Sequence, residues 1–281
     1  MTVKLVTDSL SEITGDLAEE LGITVVPLYV RFGEDIYRDR VEITTEEFYR
    51  RLVNVTTLPS TTQPTPNDFA EVYKNLARET DEILVIVVSS KLSGTYQSAL
   101  QAKDMFEGKC RIEIIDSLSV AMGQGLIVMA AAKAVQAGAN LGEVANLARS
   151  AVSRSHLIAY FDTLKYLAKG GRIGKASNLL GSVLSVKPIL TIRDGEMAPL
   201  TRVRSLNAGL DYMYNVVAGF SNIEGLAVEH ATTPDDVDEL IERLGSIYPK
   251  ESIHRAVISP VIGTYAGPNA LALTVLGAES K

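Results

Sequence analysis

Residues 82–106 read EILVIVVSSKLSGTYQSALQAKDMF. From Ile83 to Val88 the run is aliphatic without a break, which marks a strand buried on both faces rather than one with a wet side. Hydroxyls then crowd around one glycine, at Ser89, Ser90, Ser93 and Thr95 beside Gly94. From Thr95 onward the apolar residues take helical spacing, so the stretch is a strand, a hydroxyl-rich loop and a helix. That is the repeating unit of an α/β sheet.

The same unit extends outward. VKLV (3–6), ITVVPLYV (23–30) and RIEII (111–115) are strand-like, and TTEEFYRRLVN (44–54) and NDFAEVYKNLARE (67–79) are helix-like. The spacing predicts an N-terminal domain over 1–153, a mostly parallel sheet flanked by helices. Its last part, helical from Met122 to about Ser153 with a break near Gly138, reads as a bridge. Beyond it HLIAYFD (156–162), KPILTIRDGEMAPLTRV (187–203), LAVEHA (226–231) and HRAVISPV (254–261) are strand-like. Asp194–Gly195 between two alternating runs signals a hairpin. Residues 154–281 therefore read as a second domain, α+β with a mixed sheet, and with no low-complexity linker the two halves pack together.

Composition narrows the function. The 281 residues carry a net charge of −7, which disfavours a broad attraction to nucleic acid or anionic lipid. The single cysteine, Cys110, excludes an intrachain disulfide and suits a reducing compartment. The N-terminus lacks the apolar length of a signal peptide. The uncharged run 256–278 is long enough to span a bilayer, but Pro260, Gly263, Gly267 and Pro268 interrupt it. It reads as two buried strand-like pieces joined by a turn, in a soluble, cytoplasmic protein with no stable membrane insertion.

Three features invite chemistry. The loop at 89–95 suits an anion held by backbone N–H groups and hydroxyls at a helix start, a nucleophilic Ser93, or a simple helix cap. PSTTQPTPND (59–68) supplies a second hydroxyl cluster: Thr65, Pro66 and Asp68 fit a helix start, whereas Ser60, Thr61, Thr62 and Gln63 have no such explanation. LKYLAKGGRIGKASNLLGS (164–182) has glycines at 170, 171, 174 and 181 among Lys165, Lys169, Arg172 and Lys175, yet lacks a phosphate-loop pattern. Three histidines and one cysteine without paired spacing show no metal-ligand set. The echo Asp-Ser-Leu-Ser at 8–11 and 116–119 places Asp8 and Asp116 after strands, as a carboxylate pair or as two Asx-turns.

Taken in order, VTDSLSEI (6–13), TTQPTPNDF (61–69), SSKLSGTYQSA (89–99), DSLSVAMGQG (116–125), LKYLAKGGRIGKA (164–176) and PVIGTYAGPNALAL (260–273) resemble the DegV family of bacterial proteins, which includes the fatty-acid-binding subunit of fatty acid kinase. The resemblance spans nearly the whole chain. It implies two α/β domains with a long-chain fatty acid buried between them, its carboxylate presented to a separate kinase that makes an acyl phosphate. It implies no cofactor and no catalytic residue in the carrier itself. By position it puts Thr61 and Ser93 on the carboxylate, with Thr62 and Gly94 beside them, Arg172 on the glycine turn, and Arg204 after the hairpin as a kinase contact. Where the family commonly has histidine in G-T-H-x-G-P this chain has Tyr265, expected to take that place at the carboxylate. Leu206 also stands where the family is often basic. Burying each CH₂ is worth about 0.8 kcal/mol, so roughly sixteen carbons contribute on the order of 12 kcal/mol before ordering costs. The alternative is a small-molecule phosphotransferase or hydrolase using Ser93 and Arg172.

Overall fold

The computed structural model describes residues 2–180 and 186–279, so Gly181 lies outside the described residues. In chain order the first strands are β1 (Lys4–Asp8), β2 (Ile23–Val26), β3 (Tyr29–Phe32), β4 (Asp35–Arg38), β5 (Ser60–Thr62), β6 (Glu82–Val87) and β7 (Arg111–Asp116). The helices among and after them are α1 (Gly15–Leu21), α2 (Thr45–Leu52), α3 (Pro66–Leu76), α4 (Thr95–Asp104), α5 (Met122–Gln136) and α6 (Leu141–Val152). The second half adds β8 (Ser155–Tyr160), β9 (Lys187–Arg193), β10 (Glu196–Val203), β11 (Phe220–His230), β12 (Ile253–Val257) and β13 (Leu271–Glu279). Its helices are α7 (Lys165–Lys169), α8 (Leu206–Ala218), α9 (Pro234–Leu244) and α10 (Pro260–Ala266).

The aliphatic run at 83–88 lies at the centre of a parallel sheet ordered β2-β1-β6-β7. Ile83, Val85 and Val87 pack against Phe69, Tyr73, Ala99 and Ala102 of α3 and α4. Leu84 and Ile86 face the other way, onto α5 and α6. Two covered faces explain the absence of polar alternation. Helix α5 is buried all round from Met122 to Met129, because the second sheet packs on its far side through Ala227, Ala256 and Leu276.

That second sheet is mixed and ordered β10-β9-β8-β13-β11-β12, with only β11 and β12 parallel. Asp194 and Gly195, both at positive φ, turn the β9–β10 hairpin as their sequence requires. Alternation sends Ile158, Tyr160, Leu226, Val228, Leu273 and Val275 to α8 and α9, and leaves the opposite face to the first half of the chain.

Two expectations are corrected. The run 23–30 is not one strand: Pro27 ends β2, and β3 joins a separate antiparallel sheet ordered β4-β3-β5. The uncharged run 256–278 is not two strands joined by a turn. Between β12 and β13 lies helix α10, with Pro260 at its first position. Its buried face packs on α2, where a Cβ at Gly263 would meet the Tyr49 hydroxyl and the Phe48 ring. Among the described residues no helix is long and apolar enough to cross a membrane.

Candidate functional site: a cavity between the two sheets

The loops after β1, β6 and β7 emerge at the carboxyl ends of the parallel strands. Because β1 is flanked by β2 and β6, this edge includes the point where strand order reverses, the usual ligand crevice of open α/β sheets. Leu10, Leu92, Ser93, Val120 and Ala121 from those loops face a cavity whose other wall comes from β8, β13, α7 and α10. The space free of protein atoms is about 890 Å³, mouth included, and its lining is overwhelmingly aliphatic and aromatic.

Polar groups gather at one part of this lining. In the three-stranded sheet Thr61 is half-buried, whereas Ser60 and Thr62 on either side are exposed. Thr61 Oγ1 and the Tyr265 hydroxyl are hydrogen-bonded at 2.5 Å. Tyr265 comes from α10 in the second half, and Gly170 has no side chain where its ring stands. The Arg172 guanidinium lies 5.1 Å from the centre of that ring. It donates to Gly170 O at 2.9 Å and to Leu92 O at 3.2 Å, tying the glycine turn to the hydroxyl loop. Ser93 Oγ is 2.8 Å from Thr95 Oγ1 and accepts a longer bond from Thr95 N at the start of α4. Thr61, Ser93, Arg172 and Tyr265 thus line one cavity.

The other expected residues fall elsewhere. Thr62 is on the opposite face of β5, because neighbouring strand residues alternate, and does not line the cavity. Gly94 does not line it either: a Cβ there would lie 2.8 Å from Gln63 Nε2, so its bareness admits Gln63 rather than a ligand. Gln63, just past the end of β5, does line the cavity. Arg204 is exposed just beyond the far end of β10 and is not among the lining residues.

Ser93 has no base: among the described residues no histidine lines the cavity, and the hydroxyl is engaged with Thr95. The Cys110 thiol is pushed up by burial and by Asp81 and Glu82, the reverse of activation.

Asp8 and Asp116 do not meet, since β6 runs between their strands. Each instead fixes a loop. Asp8 accepts from Leu10 N at 2.9 Å, Val88 N at 2.7 Å and Gln124 Nε2 at 3.2 Å. Burial still raises its pKa from the ordinary 3.8 to about 6. Asp116 accepts from Leu118 N at 2.9 Å and from Ser90 N, anchoring the hydroxyl loop. Behind the cavity Glu12 receives Arg40 Nη1 at 2.9 Å and Ser259 N at 3.0 Å, and Arg40 also donates to Ser9 O. Ser9 in turn donates to Asp39 at 2.7 Å, whose pKa burial lifts to about 7. Nothing in the sequence distinguishes these buried acids from solvated ones.

Ser89 Oγ completes the joint between the halves by donating to Gly195 O, at the hairpin tip, over 2.6 Å. The close approach needs Gly195, where a Cβ would overlap Ser89 Oγ.

The model of the DegV family of uncharacterised proteins matches residues 2–278. A DegV domain-containing protein of Caldanaerobacter subterraneus subsp. tengcongensis is 38% identical over 272 residues, 95% of this chain and 96% of the relative. Among solved structures the chain is similar to a DegV family protein from Thermus thermophilus described by its fatty acid binding. The TM-score is 0.91 at 32% identity, covering 99% of this chain and 100% of that one. It is also similar to DegV of Bacillus subtilis, described as a fatty acid binding protein, with TM-score 0.88 at 28% identity, covering 98% and 99%. An α/β chain matched over nearly its full length, with its hydroxyl and glycine loops meeting at one cavity, is a member of the DegV family.

Proposed function

We propose that this protein binds one long-chain fatty acid in the cavity and presents its carboxylate to a separate kinase for acyl phosphate formation. The observation that carries the reading is the division of the lining: aliphatic and aromatic walls over most of it, with Thr61, Ser93, Arg172 and Tyr265 together. An acyl tail needs a dry wall and a carboxylate needs donors. These four supply donors without an acid among them, and Arg172 keeps Nη2 without a protein partner among the described residues. Arg172 is exposed and Ser93 half-buried, so the bound head group faces the surface, where a partner enzyme reaches it. In this reading the domain boundary lies at 153/154, between α6 and β8, so that the two domains form the two walls of the site, and the kinase it serves is a cytoplasmic one.

Denaturing mass spectrometry of protein purified from a bacterial host tests the binding. The expected result is a fatty acid at near one per chain, and a rise in melting temperature when stripped protein is reloaded. Traces only, with no thermal shift, overturn it. The presentation step is tested with ATP: acyl phosphate forms when a fatty acid kinase is added, and turnover by the isolated protein contradicts the carrier role.

A further inference from the structure

We propose that Glu229 reads the acyl chain, and that the cavity favours a chain bearing an oxygen substituent, hydroxyl or keto, which accepts a hydrogen bond from the Glu229 carboxyl. This rests on the fatty-acid reading of the cavity and goes further by naming the class of chain.

Glu229 is fully buried in β11 and lines the cavity. The register sets it beside Ala272 of β13, itself beside Ala159 of β8, and all three are lining residues. The two neighbours are small, and Glu229, itself without accessible surface, is part of the cavity wall beside them. Its Oε1 accepts from Met122 N at 2.7 Å, at the start of α5, where Ala121 holds a positive φ of 59°. Its Oε2 is buried and has no hydrogen-bond partner among the described residues.

Among the described residues Glu229 makes no ion pair, and Arg40, whose charge it feels at a distance, pairs with Glu12 and donates to Ser9 O. Burial, with the Glu12 charge adding to it, pushes the Glu229 carboxyl well above the usual range, which favours its protonated form. With Oε1 accepting from Met122 N, the proton of the neutral carboxyl sits on Oε2, which has no other partner among the described residues. It does not serve the ligand's own head group. Among the described residues no hydrogen bond joins Glu229 to that cluster, whose Ser93 lies in the loop that meets the hairpin through Ser89 and Gly195, and Met197 of the same hairpin lines the cavity. The strands holding Met197 and Glu229 are four spacings apart in the sheet, roughly 19 Å. A buried donor without a protein partner favours a ligand that brings an oxygen to it over one that does not.

The test compares stripped wild-type protein with Glu229→Met, using octadecanoic acid and its isomers carrying a hydroxyl or keto group at successive mid-chain carbons. Wild type should bind at least one oxygenated isomer about tenfold or more tighter than the plain acid. Glu229→Met should lose that preference while still binding the plain acid. If wild type binds the plain acid as tightly as every isomer, or if Glu229→Met keeps the preference, the inference is overturned and the fatty-acid reading stands. If wild type binds none of them, the fatty-acid reading fails and takes the inference with it. Should Glu229→Met not fold, the infrared carbonyl stretch of the preferred keto isomer decides. A shift to lower frequency on binding wild type supports the hydrogen bond, and an unshifted band overturns it.

Discussion

Tyr265→Phe removes one oxygen from the head-group cluster and leaves the ring, which still fits beside Gly170 and under the Arg172 guanidinium at 5.1 Å. What is lost is the hydroxyl bonded to Thr61 Oγ1 at 2.5 Å. Two hydroxyls bonded to one another hold two protons: one lies between them and one is left to donate outward. The pair therefore offers a carboxylate one donor, and either hydroxyl alone still offers one. Tyr265→Phe should accordingly cost only about 0.5 kcal/mol, roughly twofold in Kd, at the low end for a neutral hydrogen bond. Thr61→Val should cost the same. The double variant has no hydroxyl left, and a charged acceptor short of its donor loses about 1.5–3 kcal/mol, roughly tenfold to a hundredfold. The double loss should exceed the sum of the single losses. Titration calorimetry with stripped protein and one fatty acid at neutral pH measures all four affinities. A double variant that binds no worse than Thr61→Val alone refutes the reasoning and removes Tyr265 from the site.

Ser93→Ala should weaken fatty-acid binding by about 1–3 kcal/mol, and wild-type Ser93 should stay unlabelled by a fluorophosphonate; covalent labelling would make it a nucleophile instead. Arg40→Met leaves Glu12 buried without its partner and should lower unfolding free energy by about 3–5 kcal/mol in urea titration, whereas a surface ion pair would change it by less than about 1 kcal/mol. Asp8 and Asp39 hold their protons in the folded state up to about pH 6 and about pH 7 but release them near the ordinary 3.8 when unfolded. Their contribution to stability is therefore full below the unfolded value and is lost as pH rises through the folded ones. Urea midpoints should fall between about pH 4 and pH 7, and Asp39→Asn should flatten the fall; an Asp39→Asn profile as steep as wild type would count against the assignment.

Much of the architecture was legible because it rests on local patterns. The unbroken aliphatic run at 83–88 announced a strand covered on both faces, and Asp194–Gly195 announced its hairpin. What was misread depended on partners distant in sequence. Pro27 divides a continuous apolar stretch between two sheets, and the division is set by what β3 pairs with. Helix α10 opens on proline and holds one glycine and three β-branched residues among seven, so its helicity comes from packing on α2 rather than from propensity. Thr61 stood out and Thr62 beside it looked equivalent, until strand alternation separated them. The cavity wall was illegible in principle, since a leucine facing a tunnel reads like one facing core. Glu229 was hidden in the same way, as one of two acids in the strand 220–230, where a solvated edge would look identical.

Three contacts cross between the halves around the head-group cluster: Thr61 with Tyr265, Leu92 with Arg172, and Ser89 with Gly195. In each, one residue precedes position 153 and the other follows it. On the proposed reading, an acyl chain lying beneath such a seam leaves when the seam parts, so departure is timed by the protein rather than by whatever competes for the space. Replacement of one bound fatty acid by another is then first order in the loaded protein and indifferent to how much competitor is present. On the proposed carrier reading, cargo is therefore kept through chance encounters while its head group stays within reach at the surface.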